Sequence, residues 1–419
     1  MIRPSCASSR RSFARVGDSA SRFFRGSGLR TNASIGVRSA RAPLPQVLTH
    51  VKSAPCLLLL AALAACGPAE PVRIGFVGGL SDRNSDVGQS GHEGAVLAVE
   101  QWNRAGGIRG RPIELVARDD VQRRDSAERA ADELAAAKVE AVIGPFTSGM
   151  AVVVAPRLAK DGILVVSPTT TSMDLVGKDD NLVRLNGSTR DYARAYAKAL
   201  RQRGLRHVAA AWDTRNRAYS ESWLGEFRAA MVAEGGEVTA HVPFESDPGT
   251  DFGAIVGDLL LARPDGLFFI AGALDVARLA QHARKRAPGL AIGAAEWAST
   301  GHLLELGGKM VEGLFIVQQF DPSDTSPAFV AFREAYFNRF QHRPGFAAVA
   351  AYDAAQALFT ALAKRKSGET AKQALLANGP YAGLQQSIAF DATGDTQRRM
   401  FFSEVREGRY FLVDGPKRP

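Results

Sequence analysis

Hydroxyl side chains gather at two places where an apolar run breaks. Ala141-Val142-Ile143 stops at Gly144-Pro145, and Phe146-Thr147-Ser148-Gly149 then leads into the apolar run Met150 to Ala155. The pattern predicts a buried strand that ends at Gly144-Pro145 and restarts as a helix, with Thr147 or Ser148 at its N-cap. Such a junction points hydroxyls and unpaired backbone N–H groups at one spot, which suits a carboxylate or another anion. A plainer alternative is that Ser148 only caps its helix. Just downstream, Ile163-Leu164-Val165-Val166 runs into Ser167-Pro168-Thr169-Thr170-Thr171-Ser172. Two hydroxyl-rich strand ends, one helix apart, lie side by side in a parallel sheet. Thr169 and Thr170 have their own plain alternative as turn residues.

Covalent, redox and metal chemistry find little support elsewhere. Gly75-Phe76-Val77-Gly78-Gly79 is not the dinucleotide fingerprint, no phosphate loop ending in Lys appears, and the seven His are scattered without metal spacing. No Gly-x-Ser-x-Gly elbow is present. The three cysteines, Cys6, Cys56 and Cys66, all precede the body of the chain, which therefore has no thiol for a disulfide, a metal or a nucleophile. A binder without metal or cofactor is expected, not an enzyme. Asp119-Asp120 ends a strand and reads as structural, since an unpaired acid pair beside a carboxylate site would repel the ligand.

The elements that position these residues alternate. From Val72 onward, strand-like runs trade with amphipathic helical ones, the mark of an α/β fold with parallel sheets. Strands are predicted at Arg73–Gly78, Glu114–Asp120, Ala141–Ile143 and Ile163–Val166, with helices at Gly91–Arg104 and Asp125–Lys138. Five strands in a row, these four and a fifth not located, with a helix between each pair, would make one lobe. A second run starts at Arg206 with strands His207–Asp213, Val238–Phe244, Gly266–Ile270 and Leu290–Ala294, separated by helices Ser220–Glu234, Asp251–Leu261 and Asp275–Ala287. Two long helical patterns, Pro327–Phe340 and Phe346–Lys364, precede short strands around Ser387–Phe390 and Met400–Leu412. At 419 residues, 46% of them hydrophobic, the chain can bury two proper cores.

The formal charge of +9 is misleading. Residues 1–65 hold nine Arg and Lys52 against Asp18 alone, which equals the whole excess. Everything from Cys66 onward is near neutral, so no nucleic-acid partner is expected. Residues 1–50 lack an apolar period and are dispensable on this reading, the true translation start lying downstream. Ser9-Arg10-Arg11-Ser12-Phe13 looks like a twin-arginine motif, but its apolar segment arrives too late. Leu57–Ala65 is a nine-residue apolar stretch, too short to span a bilayer core of roughly 30 Å, and reads as a signal sequence. It ends in Leu63-Ala64-Ala65-Cys66-Gly67, which resembles the lipobox of bacterial lipoproteins. Cys66 is therefore the expected lipidation site, residues 66–70 the anchor and linker, and the periplasm or cell surface the expected location.

Several segments in order resemble one family. Val72–Leu80, Gly88, Gly94–Arg111 and Glu114–Asp120 look like the opening of the leucine/isoleucine/valine-binding proteins, periplasmic solute receptors of ABC transporters. Ala141–Gly149, Ser167–Thr171 and Phe390–Asp395 fit the same family. The resemblance implies two doubly wound, Rossmann-like lobes of periplasmic binding protein type I joined by three crossovers, with ligand held where the lobes close. Lobe one would be 71–188 plus 321–387, and lobe two 189–320 plus 388–414. It also implies residue roles: Ser148 for the ligand carboxylate, Thr169, Thr170 and Thr171 around carboxylate and amine, Tyr219 from the second lobe, and Glu296 for the ammonium. Tyr219 could instead shield the hinge, and Glu296 could be a solvated loop acid. The partners implied are an amino acid or related small carboxylate and an ABC permease. A ligand-sensing or docking lipoprotein of the same fold is the alternative.

Three departures stand out. Ser81-Asp82-Arg83-Asn84-Ser85-Asp86 replaces small or aromatic pocket residues, and Gly272-Ala273 stands where an aromatic is common. Val121 and Thr147 occupy the positions of a disulfide found in some members. The first two argue against a leucine-like side-chain pocket, and Arg83, Arg215 and Arg217 leave room for an acidic or larger ligand.

Overall fold

The computed structural model describes residues 69–413, so Cys66 and the leader lie outside the described residues. Strands β1 (Val72–Gly78), β2 (Ile113–Asp119), β3 (Ala141–Ile143), β4 (Leu164–Ser167) and β5 (Leu182–Arg184) form a fully parallel sheet in the order β2-β1-β3-β4-β5. Helices α1 (Asp86–Arg104), α2 (Arg124–Ala136) and α3 (Ser148–Ala159) make the first three connections. Between β4 and β5 there is no α-helix, contrary to expectation. A single 3-10 turn, Met173–Leu175, suffices, capped by the Ser172 side chain on the Asp174 N–H. Strands this short are buried throughout, which is why they read as apolar runs with no alternation.

Helix α4 (Thr189–Gln202) opens the second lobe. It starts with a capping box between Ser188 and Asp191, and the sequence reading passed over it. There follow β6 (His207–Asp213), α5 (Arg217–Ala233), β7 (Glu237–Phe244), α6 (Phe252–Leu261), β8 (Gly266–Ile270), α7 (Ala273–Arg286), β9 (Ala291–Ala294), α8 (Gly301–Gly307) and β10 (Phe315–Gln318). Their sheet runs β7-β6-β8-β9-β10, the same winding as the first. It is extended by an antiparallel hairpin of β13 (Phe401–Arg406) and β14 (Arg409–Val413). The chain passes between the lobes three times, at 185–188, 319–326 and 389–400. An ion pair between the buried Arg184 and the partly exposed Asp395, at 2.7 Å, ties the first of these crossings to the third.

Returning to the first lobe, α9 (Pro327–Phe340) and α10 (Phe346–Lys364) pack against α1. The Trp102 indole N–H donates to Gln356 at 2.7 Å, and the Tyr352 hydroxyl to Gln101 at 2.5 Å. A Cβ on Gly94 would sit 2.2 Å from the Ala348 carbonyl oxygen, so the close crossing of α1 and α10 needs a glycine there. Helix α10 has the length and apolarity of a membrane span, but it is mostly buried and serves as the central core helix. Each fully buried Leu or Phe on it contributes roughly 1.5–3 kcal/mol relative to exposure. Helix α11 (Ala371–Ala377) and the strand pair β11 (Tyr381–Ala382) and β12 (Ser387–Ile388) complete the lobe's rim.

Candidate functional site

In both sheets the winding direction reverses beside the first strand, between β1 and β3 and between β6 and β8. Ligands of open α/β sheets bind beyond the carboxyl ends of the strands at such a point. Here the two reversals share one cleft. Residues following β1, β3 and β4 meet residues following β6, β7 and β9 across it.

On the first lobe, Gly144 makes the turn after β3. Its φ is +111°, and a Cβ would lie 2.0 Å from the Val77 carbonyl oxygen, so only glycine allows this approach. Thr147 occupies the N-cap of α3, but its side chain caps nothing. Ser148 is the first helical residue and does not cap either. Its Oγ accepts the backbone N–H groups of Thr171 and Ser172, each at 3.3 Å, linking the ends of β3 and β4. Both acceptances leave the hydroxyl proton of Ser148 to be donated elsewhere. Thr169 donates to the Phe146 carbonyl at 2.6 Å and lines the cleft. The Thr170 hydroxyl is spent on Ser167 Oγ at 2.8 Å, and Thr170 is not part of the cavity wall. Thr171 turns its hydroxyl across the cleft to Glu296 Oε1 at 3.5 Å.

From the second lobe, Glu296 follows β9 and is 2% exposed, so it is not a solvated loop acid. Trp223 Nε1–H donates to its Oε2 at 2.9 Å. Burial pushes its carboxyl up to about 7, offset in part by hydrogen bonds, and no Arg or Lys pairs with it among the described residues. Tyr219, in the first turn of α5, is 5% exposed and packs edge-on against Trp297 with ring centres 5.7 Å apart. Its hydroxyl feels the Glu296 charge but makes no hydrogen bond of ordinary geometry.

These groups line a narrow cavity with about 20 Å³ of free space, well below that of an occupied small-molecule site. Val87, Phe146, Trp297 and Phe346 supply its apolar walls. Ser148, Thr169, Asn216, Tyr219, Glu296 and Gln319 supply its polar groups. Sequence reasoning missed Asn216, Gln319 and the apolar walls. Val87 was hidden because α1 begins at Asp86, not Gly91, and the Ser81–Asp86 segment looked like pocket lining.

That segment goes elsewhere. Asp119 holds it by accepting the Leu80 N–H at 2.8 Å and the Ser81 hydroxyl, so the acid is structural as expected. Asp82 pairs with Arg215 of the second lobe at 2.5 Å, and Asn84 donates to Ser246 Oγ at 3.2 Å. A Cβ on Gly272 would lie 3.3 Å from the Asn84 amide, so the two sequence departures fit each other. Arg217 pairs with Glu221 on the surface. None of Arg83, Arg215 and Arg217 lines this cavity; Arg83 and Arg215 border a separate, more open cleft together with Asp82 and Glu245. Among the described residues no group of three His, Cys, Asp or Glu is placed to hold a metal ion.

Comparison with known proteins bears on the family and the fold. A relative in Brucella melitensis, Leu/Ile/Val-binding protein homolog 3, is 30% identical over 200 residues, which is 47% of this chain and 54% of the relative. The chain thus matches about half the length of that relative. Among solved structures, the branched-chain amino acid transporter substrate-binding protein LivJ of Streptococcus pneumoniae, in complex with isoleucine, superposes with a TM-score of 0.76 at 22% identity. That match covers 83% of this chain and 100% of the other. A solute-binding protein of an ABC transporter from R. palustris, in complex with benzoate, superposes with a TM-score of 0.73 at 20% identity, covering 83% and 96%. At such identities these two show the fold alone. The family model described as periplasmic binding protein matches residues 71–409, most of the chain, and the protein belongs to that family of extracytoplasmic solute binders.

Proposed function

We infer that the protein is the solute receptor of an ABC importer and closes on a zwitterionic amino acid with a compact apolar side chain. The observation that carries this is Glu296, a carboxyl buried in an aromatic pocket with no cation beside it. A ligand ammonium is the partner it lacks. Ser148 and the N-terminus of α3 face it across the cavity and suit the ligand carboxylate, while Val87, Phe146, Trp297 and Phe346 suit an aliphatic side chain. A thermal-shift screen of amino acids and small organic acids tests it, since a ligand at 100 times its Kd adds about 2.7 kcal/mol of stability. A panel in which no amino acid raises the unfolding midpoint overturns it.

A second ligand class has one observation in its favour. With its carboxyl pushed up to about 7 by burial, Glu296 can hold its proton and donate to an acid lacking an amine, such as an aromatic carboxylate. The pH dependence of affinity separates the two classes, as argued in the Discussion. Membrane attachment through a lipid on Cys66 rests on the small residues before it and the apolar stretch Leu57–Ala65. Cys66→Ser should move the protein from the membrane pellet to the soluble fraction; retention in the pellet would count against the anchor. A receptor that docks a partner and feeds no importer would leave solute uptake unchanged when the gene is deleted.

A further inference from the structure

Asn216 immediately precedes α5 and would ordinarily cap it, yet its side chain makes no capping bond. Instead it reaches across the cleft, and Oδ1 accepts the Gly149 N–H at 2.9 Å in the first turn of α3. The approach is close. A Cβ on Gly149 would lie 3.1 Å from that oxygen and 3.6 Å from the Asn216 Cα, so a bare glycine opposite admits the second lobe.

This bond fixes which way the amide faces. Were the amide turned over, Nδ2 would oppose the Gly149 N–H, donor against donor. With Oδ1 committed, Nδ2 is directed away from Gly149, and among the described residues it donates to no protein atom. Asn216 is 5% exposed and lines the cavity beside Ser148 and Thr169. The Ser148 proton is a second donor without an assigned acceptor, whereas the Tyr219 hydroxyl, one turn further along α5, lies against Glu296. Asn216 Nδ2 and the Ser148 hydroxyl thus line one wall of the cavity as donors, and a carboxylate, which only accepts and has about four lone-pair sites, is the group that satisfies them.

We propose that Asn216 is the second lobe's half of the carboxylate site, its Oδ1 closing on the Gly149 N–H while its Nδ2 donates to the ligand carboxylate. Recognition of the carboxylate and closure of the lobes are then one event. A ligand whose carboxyl is masked as an amide offers the site one acceptor fewer and two unwanted donors. The assignment rests on the cavity being a carboxylate site, and it adds the residue that makes the second lobe sense the anion.

The test uses calorimetric titration of the exported protein with L-leucine, L-leucinamide and benzoate. Asn216→Asp keeps an acceptor for the Gly149 N–H, removes both amide donors and sets a negative charge against the ligand. Its unfolding midpoint should match or exceed that of the wild type, because a carboxylate at a helix N-terminus is favourable. Its affinity for L-leucine or benzoate should fall at least about thirty-fold, and the preference for L-leucine over L-leucinamide should shrink by a similar factor. Asn216→Ala, which adds no charge, should lose about ten-fold and guards against misfolding of the aspartate variant. Should both variants bind carboxylates within about three-fold of the wild type, or lose L-leucine and L-leucinamide in equal measure, Asn216 is only a structural bridge. If the wild type itself binds no small carboxylate, the reading of the cavity falls and takes this assignment with it.

Discussion

The cleft closes along two seams built on different terms. The outer seam joins Ser81–Asp86 to the second lobe with finished contacts: Asp82 to Arg215 at 2.5 Å, Asn84 to Ser246 Oγ at 3.2 Å, and Arg215 to the Ser246 carbonyl at 3.3 Å. The inner seam, at the cavity, is less complete. Asn216 accepts the Gly149 N–H at 2.9 Å, but Thr171 and Glu296 stand 3.5 Å apart and the Glu296 carboxyl has no cation beside it among the described residues. The division is not complete, since Arg83 Nη1 and Asp275 Oδ1 are also buried without partners near the outer seam. Still, the contrast assigns roles. Protein groups complete the outer contacts by themselves, whereas Glu296 has no protein counter-charge and the Ser148 hydroxyl no assigned acceptor among the described residues, which suits a ligand that supplies both.

The largest expected effect follows from removing the inner charge. Glu296→Gln should weaken L-leucine by about 30-fold or more and leave benzoate nearly unchanged, because a charge-assisted bond is worth roughly 1.5–3 kcal/mol. Acidity should echo this. The carboxyl sits at about 7 without ligand, and an ammonium must displace its proton. Affinity for L-leucine should therefore drop up to about ten-fold per pH unit below about 7 and level off above it. Benzoate should behave oppositely, weakening as pH rises through about 7 and the proton is lost. In the glutamine variant both profiles flatten; a slope that survives belongs to another group.

Ligand-free stability carries the same sign. A carboxyl raised by burial favours the folded state fully below its unfolded value and contributes less as pH climbs through the folded value. Glu296 and Asp120 at about 7 and Asp213 at about 6 all act in this direction. Acids held low, such as Asp119 and Asp391, complete their titration at lower pH. The unfolding midpoint should thus decline between pH 5 and 8, and less so in Glu296→Gln. The His92 imidazole, held low by burial, acts in the opposite direction, so the comparison with Glu296→Gln is decisive: equal slopes in the two proteins would show that Glu296 is already ionised.

Next in size is Ser148→Ala, expected to cost about ten-fold for every carboxylate ligand, measured by the same titration. It removes the donor and the acceptor that joins the ends of β3 and β4. Part of the loss should therefore show in ligand-free stability, about 1 kcal/mol. Equal affinity in the variant would mean that Ser148 only staples two strand ends.

Strand and helix identity were legible where an apolar run was long or a period clear, as in β1, β6, β8 and α10. The start of α1 was not. Gly88 and Gly91 lower helix propensity, and they are there because Gly79 and Phe146 leave no room for a Cβ, a reason that only packing reveals. Strand β5 was lost among the polar residues around it, since three residues carry no period. At the site, Ser148 and Thr171 could be found because hydroxyls cluster at strand ends. Asn216 could not, for nothing in Asp213–Glu221 distinguishes a cap residue from one that abandons its helix to cross a cleft. The polar Ser81–Asp86 segment misled for a related reason: sequence shows polarity, not the direction in which it is spent.

The outer seam should give the smallest effect and the sharpest check on the comparison. Asp82 and Arg215 are 15% and 21% exposed, so their pair is partly solvated and worth no more than about 1 kcal/mol. Asp82→Asn leaves Arg215 its bond to the Ser246 carbonyl and the nearby charge of Asp213 and Asp275. Only the closed arrangement makes the lost contact, so affinity should fall by about two- to five-fold and the loss should appear in the dissociation rate. Added salt should shrink the difference between variant and wild type, as screening weakens the exposed part of the pair. Most usefully, the loss should be the same for L-leucine, L-leucinamide and benzoate, because a latch that never touches the ligand cannot tell one from another. If Asp82→Asn instead altered the preference among the three, the Ser81–Asp86 segment would be reaching the ligand, and the two seams would be one site.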